Sequence, residues 1–109
     1  KKEVILGEAE VRQVFKITGV GAIAGCFVRS GLIRRGARIR VIRDAVEVYA
    51  ANISSLKRFK EDVREVKEGF ECGIGVENYN DIKVGDVLEA FRVDEVARSL
   101  EPAGVVKDA

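Results

Sequence analysis

The stretch Arg38–Tyr49, RIRVIRDAVEVY, decides the fold, because polar and apolar residues alternate on both sides of a central Asp-Ala pair. Ile39 and Val41 share one parity, which predicts that they face inward in a strand whose arginines face outward. Asp44-Ala45 interrupts two β-rich runs and is predicted to form a two-residue hairpin turn. Aspartate tolerates the left-handed conformation of such a turn, whereas alanine is a poor residue for it. The stretch therefore predicts antiparallel strands joined by tight turns.

The remainder of the chain follows a similar pattern. Further strands are expected at 8–17, 22–28, 53–59, 71–76 and 87–91, with turns at 18–21, 78–81 and 84–86. Residues 8–17 have imperfect parity, which indicates a bulge or burial on both faces. Residues 22–28 are apolar almost throughout, which indicates burial on both faces or passage beneath a ligand. Residues 30–36 are expected to form a loop with a short extended piece and a turn glycine at each end.

The spacing of Phe59, Val63 and Val66 fits helical turns as well as an interrupted strand. The β-rich neighbours favour a loop followed by a strand. Together the elements predict an all-β fold, a small closed antiparallel barrel of about six or seven strands, in which closure removes exposed edges.

The 109 residues suffice for one domain, which we place at 1–100, with a C-terminal tail at 101–109 that we expect to be disordered. No apolar run approaches the roughly 20 residues of a membrane helix. The N-terminal residues show no signal-peptide pattern. We therefore expect a cytoplasmic, monomeric protein with no membrane partner.

The chain contains two cysteines and no histidine. Two thiols cannot close a tetrahedral zinc site, and the commonest general base is missing. No GxxxxGK[ST] sequence is present, so a Walker-type nucleotide site is excluded. We expect no metal, no cofactor and no catalytic activity. Cys26 and Cys72 lie far apart in sequence, so their spacing neither supports nor excludes a disulfide or a redox pair.

The net charge of +1 conceals an asymmetry along the chain. Residues 1–60 carry 13 Lys/Arg and 5 Asp/Glu, whereas residues 61–109 carry 6 and 13. Six arginines fall within residues 29–43. A basic surface of this kind could meet nucleic acid. The alternatives are that folding mixes the two halves, and that the arginines form a solvated edge that discourages aggregation.

The stretch Ser54–Gly75, SSLKRFKEDVREVKEGFECGIG, concentrates the candidate binding residues. Its basic–aromatic run, residues 57–59, can hold phosphates while the ring stacks on a base. Its segment 71–75 combines a carboxylate, a soft thiol and glycines that let a ligand approach the main chain. The alternative is that the glycines mark a bend and that the cations are ordinary solvated side chains. The mixed-charge run between the two parts is expected to connect two walls of a site.

Several segments are similar, in order and spacing, to the C-terminal domain of bacterial translation initiation factor two. They are Arg12–Phe15 (RQVF), Gly21–Cys26 (GAIAGC), Val41–Asp44 (VIRD), Ser55–Lys60 (SLKRFK), Glu71–Ile74 (ECGI) and Ile82–Val87 (IKVGDV). The resemblance covers residues 8–100. It implies a barrel like the second domain of elongation-type translational GTPases, and recognition of the formyl-methionyl CCA end of initiator tRNA. The positions that it associates with the tRNA end are Arg12, Cys26, Lys57, Arg58, Glu71, Cys72 and Gly73.

The resemblance also implies that the chain is an excised domain of a larger GTPase factor, which acts in translation initiation and meets the ribosome in its full-length form. The sequence departs from the family's pattern at Thr18-Gly19, at Ala45 and near Ala51, and these positions concern turn geometry and not the site. The alternative function is that of a structural barrel, which would contact the ribosome or a neighbouring domain without recognising the aminoacyl end.

Overall fold

The computed structural model describes residues 2–94, which form eight strands joined by turns. The strands are β1 (Lys2–Ile17), β2 (Gly21–Arg34), β3 (Arg38–Arg43), β4 (Val46–Arg58), β5 (Glu61–Asp62), β6 (Glu65–Lys67), β7 (Glu71–Val76) and β8 (Val87–Asp94). A helix long and apolar enough to cross a membrane does not occur within this part of the chain. The expectations for residues 95–100 and for the tail at 101–109 lie outside the described residues.

Six strands form a closed ring in the order β1-β8-β3-β4-β7-β2, and β2 pairs again with β1. All of the neighbouring pairs are antiparallel. The short strands β5 and β6 add to the ends of β4 and β2. Closure pairs each ring strand on both sides, which removes the exposed edges that invite aggregation. The predicted all-β fold is confirmed, with six strands in the ring.

The core lies inside the ring and is built from alternate residues of each strand. Ile39 and Val41 are fully buried, as the alternation in β3 predicted. The other large, fully buried apolar side chains are Val11, Val28, Ile33, Leu56, Ile74 and Leu88. Burying one such side chain contributes about 1.5–3 kcal/mol relative to leaving it exposed. The period-2 pattern therefore fixes which face of each strand supplies the core.

β1 contains the bulge that its imperfect parity indicated. The register of β1 against β2 shifts between Val11 and Gln13, so that Arg12 is the additional residue. Before the shift Val11 is buried, whereas after it Phe15 is about half exposed. An extra residue in one strand redirects the side chains that follow. The bulge therefore turns Arg12 and Phe15 to the outer surface.

β2 differs from its prediction in two respects. Residues 30–34 continue the strand instead of forming a loop, because they pair with Gly7 and Glu8 of β1 and with β6. Burial along residues 22–28 alternates between buried and intermediate positions, so this segment is not buried on both faces. Burial on both faces is therefore wrong for this segment, and the other expectation, passage beneath a ligand, stays a prediction.

The turn and connector predictions are confirmed. Asp44 and Ala45 have φ of 53° and 65°, the left-handed values that a two-residue hairpin turn requires. Residues 61–62 and 65–67 form short strands and not helical turns. The mixed-charge run is thus the connector from β4 to β7 that the sequence indicated.

Folding mixes the basic and acidic halves of the sequence. Arg40 lies among the carboxylates of Glu3, Glu47 and Glu89 at 2.7, 3.2 and 3.2 Å, and its guanidinium stacks on Phe91. Pairs with acidic residues also form at Arg29, Arg34 and Arg43. Four of the six arginines within residues 29–43 are therefore engaged, and the basic character of that stretch is largely neutralised.

Candidate functional site

Ring closure brings β1, β2, β7 and β4 side by side, and these four strands carry all of the predicted site residues. Phe27 lies opposite Glu71. In the next outer row Gln13 and Gly73 flank Gly25, and Lys57 lies beyond Gly73. The row between these two, Cys26 opposite Cys72, faces the core. These four strands thus assemble one outer surface from residues as far apart in sequence as Gln13 and Gly73.

Cations and aromatic rings meet at one end of this surface. The guanidinium of Arg58 lies 5.2 Å from the ring centroid of Phe59 and 4.9 Å from that of Phe70. Its Nε donates a hydrogen bond of 3.0 Å to the main-chain oxygen of Glu71, which ties β4 to β7. On the other side the guanidinium of Arg12 lies 4.5 Å above the ring of Phe27. Each contact fixes a charged group beside a π-face, as cation–π geometry favours.

Phe59 is held open to solvent in an unusual backbone conformation. Its ring is 92% exposed, and its φ is 59°. A bulky residue at such a φ is strained, and strain of about 1–3 kcal/mol persists where the surrounding structure imposes it. The ring packs on Arg58 and extends the basic–aromatic cluster beyond the ring of strands.

Gly25 and Gly73 form a floor of main chain in the middle of the surface. A Cβ on Gly25 would lie 3.0 Å from Cε2 of Phe15, and a Cβ on Gly73 would lie 3.3 Å from Cγ2 of Ile23. Both are closer than most side chains allow, so Phe15 and Ile23 can lie against the two glycines only because these lack side chains. The result is a shallow floor with an apolar wall.

Cys26 and Cys72 lie directly behind this floor, with side chains only 3% and 6% exposed. They are free thiols. Burial, with the proximity of Cys72, raises the pKa of Cys26 well above its ordinary value. Burial also raises the pKa of Cys72 to about 11, although the charge of Arg58 opposes the increase. Both thiols are therefore protonated near neutral pH, and both face the core, so the soft thiol surface expected at Cys72 is not open to a ligand.

Four residues of the surface were not identified as site residues from the sequence: Phe15, Ile23, Gly25 and Phe27. The available signal was Gly25, because a glycine inside an apolar strand often marks a close approach of other groups. Ile23 and Phe27 lie in a strand that is apolar on both parities, for which the sequence left burial on both faces and passage beneath a ligand open. Which of the two alternating sets of residues faces the core depends on how the strand pairs with other strands.

Within residues 2–94 no group of three or more His, Cys, Asp and Glu side chains is arranged to hold a metal ion. The surface combines two cation–aromatic clusters, an exposed amine at Lys57, a carboxylate at Glu71 and a glycine floor. Such groups suit a ligand with phosphates, a flat ring and a small apolar part.

Comparison with known proteins gives relatives that share most of this chain. Translation initiation factor IF-2 from Caldanaerobacter subterraneus subsp. tengcongensis is 60% identical over 97 residues, which cover 89% of this chain and 14% of that protein. The proteins of the same name from Christiangramia forsetii and from a Nitratiruptor species are 60% identical over 100 residues and 58% identical over 99. These alignments cover 92% and 91% of this chain, and 11% and 12% of the relatives.

The chain thus spans only 11–14% of the length of these relatives. Residues 21–89, which run from the start of β2 into β8, match the family described as elongation factor Tu domain 2. This match includes five of the six ring strands. On this match, which covers more than half of its residues, the chain belongs to the elongation factor Tu domain 2 family.

Proposed function

We propose that this domain binds the formyl-methionyl CCA end of initiator tRNA during translation initiation, as the tRNA-binding C-terminal domain of a cytoplasmic GTPase factor that meets the ribosome. The observation that carries the proposal is the outer surface of β1, β2, β7 and β4, where two cation–aromatic clusters flank a glycine floor. The name of the relatives, initiation factor IF-2, supports the same process.

The terminal nucleotides lie at the cation–aromatic end of the surface. Arg58 is already held between Phe59 and Phe70, so little of its side-chain entropy remains to be lost when it meets a phosphate. The exposed ring of Phe59 offers a face on which a base stacks, an interaction of about 1–3 kcal/mol. Lys57 and Arg12 provide further charge on either side of the floor. The carboxylate of Glu71 accepts a hydrogen bond from a ribose hydroxyl or a base amine.

The formyl-methionyl group lies on the glycine floor. Main-chain groups around Gly73 bond the formyl amide, and the methionine side chain packs on Phe15 and Ile23. Cys26 and Cys72 act from behind, as small residues that keep the floor in place. An unformylated α-amino group, with a pKa of about 7.7–8.0, is largely cationic at neutral pH. Placing that charge against an apolar wall is costly, so the surface rejects the uncapped amine.

The first test compares formyl-methionyl-tRNA with methionyl-tRNA binding to this chain. The formylated ligand is expected to bind more tightly, and the difference should shrink as the pH rises above the pKa of the amine, because the amine then loses its charge. NMR shifts caused by a formyl-methionyl CCA fragment are expected at Cys26, at Lys57, at Arg58 and at residues 71–73. Equal affinities at neutral pH would contradict the proposal.

The second test concerns the phosphates. Lys57→Ala and Arg58→Ala are each expected to weaken tRNA binding and to reduce the salt slope of log K by roughly one unit. The matched control is Arg92→Ala, because β8 lies opposite β7 in the ring and Arg92 is exposed. An unchanged slope in the first two variants would remove them from the phosphate contacts. If neither test shows tRNA recognition, a barrel that docks on the ribosome or on a neighbouring domain becomes the better account.

A further inference from the structure

A second basic depression lies at the end of the ring where β2 turns into β3. Its volume is about 360 Å³, and its lining residues are Arg34, Arg35, Gly36, Arg64 and Glu65. Three arginines and one glutamate therefore line it. None of these residues belongs to the surface described above, and Arg64 comes from the connector between β5 and β6.

Main-chain hydrogen bonds fix this cluster. The amide of Arg35 donates to the carbonyl of Arg64 at 2.8 Å, and the amide of Ala37 donates to the carbonyl of Arg34 at 3.0 Å. Arg34 also lies opposite Glu65 in the β2–β6 pair. The turn and the connector are thus held together by the backbone, so the convergence of the arginines does not depend on flexible side chains alone.

The charge of the depression is only partly neutralised. Arg34 meets Glu65 at 3.4 Å, and both side chains are exposed, so the pair contributes little. Arg35 and Arg64 are exposed and make no ion pair with any residue of the part that the structure describes. This contrasts with Arg40 and Arg43, which are engaged by carboxylates. Two guanidinium groups thus remain available for an anion.

The depression adjoins the site of the proposed function. A smaller depression of about 200 Å³ is lined by Arg58, Glu65, Val66, Lys67 and Phe70. Glu65 lines both depressions and so forms the ridge between them. The path from Arg58 past Lys67 to Arg64 and Arg35 therefore carries four cationic side chains, and the carboxylate of Glu65 on the ridge is paired with Arg34 at 3.4 Å. A strand of nucleic acid whose end lies at Arg58 would find its next phosphates held along this path.

We propose that the depression between Arg35 and Arg64 is a second phosphate site, which binds the acceptor-stem backbone of the RNA whose 3′ end lies at Arg58 and Phe70. This inference rests on the proposed function. It adds the direction in which the RNA leaves the aminoacyl-end site: over β6, towards the β2–β3 turn. The arginines contact the backbone alone, so the site holds the RNA in register and does not read its bases.

The test uses two ligands of different length, of which only the longer one includes the acceptor stem. The first is a formyl-methionyl CCA trinucleotide, and the second is a formyl-methionyl minihelix that adds the acceptor stem. The double variant Arg35→Ala/Arg64→Ala is expected to bind the minihelix about tenfold more weakly at ~0.1 M salt, with a salt slope lower by about two units. Its affinity for the trinucleotide is expected to be unchanged.

The matched control is Arg38→Ala/Arg92→Ala, which removes the same charge from β3 and β8. It is expected to bind both ligands as the unaltered protein does. The inference would be overturned if the Arg35/Arg64 variant and the control bound the minihelix with equal affinity. It would also be overturned if the Arg35/Arg64 variant lost as much affinity for the trinucleotide as for the minihelix. Circular dichroism of each variant establishes that it is folded.

Failure of the proposed function gives a different result. In that case the unaltered protein would not distinguish formylated from unformylated ligands, whatever the double variant does. If the unaltered protein binds the formylated ligand more tightly, but its affinity for the minihelix does not change when Arg35 and Arg64 are replaced, only the second phosphate site is overturned.

Discussion

Replacement of Asp86 by asparagine tests the hydrogen-bond network that joins β3, the turn before β8 and β1. Asp86 is only 2% exposed and follows the turn that leads into β8. Arg43 donates to its two carboxylate oxygens from Nε and Nη2, both at 2.9 Å, and the amide of Lys83 donates at 2.9 Å. Its main-chain oxygen accepts from the amide of Val11, next to the bulge that places Arg12. The carboxylate therefore holds three donors in place on the β3–β8 side of the ring, and the main chain of Asp86 links them to β1.

The magnitude follows from these contacts. In Asp86→Asn one carboxylate oxygen becomes an NH₂ group, which cannot accept, so at least one buried donor loses its partner. A hydrogen bond to a charged group contributes about 1.5–3 kcal/mol, and an orphaned buried donor costs about 1–3 kcal/mol. We expect the free energy of unfolding to fall by about 2–4 kcal/mol. At about 4–8 °C per kcal/mol for a domain of this size, Tm should drop by about 8–32 °C.

The pH dependence has a definite sign. Burial alone would raise the pKa of Asp86, but the bonds from Arg43 and from the Lys83 amide lower it below its ordinary value. In the unfolded chain the group titrates normally, near 3.9. Its stabilising contribution is therefore complete above about pH 4, and it is lost as the pH falls through the lower pKa of the folded state. Urea denaturation at pH 7 and at pH 3 measures both effects.

The matched control is Asp94→Asn, because that carboxylate makes an exposed pair with Arg92 at 3.0 Å. A surface pair contributes about 0–1 kcal/mol, so this variant should unfold nearly as the unaltered protein does. The difference in stability between the unaltered protein and Asp86→Asn should narrow on acidification. A loss below about 1 kcal/mol at pH 7, or parallel pH curves, would refute the assignment of the network to Asp86.

Two further predictions concern the turn and the thiols. Ala45→Gly should raise the free energy of unfolding by up to about 1 kcal/mol, because the φ of 65° strains alanine and the added entropy of unfolded glycine offsets only part of the gain. The control variant Asp44→Gly should gain less stability. A lower denaturation midpoint for Ala45→Gly than for the unaltered protein would contradict this prediction. Cys26 and Cys72 should react slowly with iodoacetamide at pH 7.5 until denaturant is added, since both are buried and the pKa of Cys72 is about 11. Equal rates of thiol alkylation with and without denaturant would contradict this prediction.

Local patterns allowed much of the fold to be predicted. The alternation in β3 identified Ile39 and Val41 as core, and Asp44-Ala45 as a hairpin turn. Both depend on a few neighbouring residues, because period-2 burial and left-handed turn residues are local properties. The extent of β2 was missed, because its second half is a strand only through pairing with β1 and β6.

The candidate site was predictable in part. Lys57 is exposed and lies opposite Gly73, and the half-buried Arg58 donates to the main-chain oxygen of Glu71, so both cations lie beside the segment at 71–73. The orientation of the thiols was not predictable, since a shift of one residue in register exchanges the two faces of a strand. Arg12 reaches Phe27 because of a bulge, and a bulge depends on two strands and not on one.

The sequence by itself determined the all-β character, the tight turns and the residue types from which the candidate surface is built. Only the tertiary structure decided that Cys26 faces Cys72 inside the ring, that Gly25 and Gly73 adjoin as a floor, and that Arg35 meets Arg64. The physical reason is the range of the interactions. Alternation and turn chemistry act over a few residues, whereas register, bulges and ring closure are set by hydrogen bonds between strands that are distant in sequence.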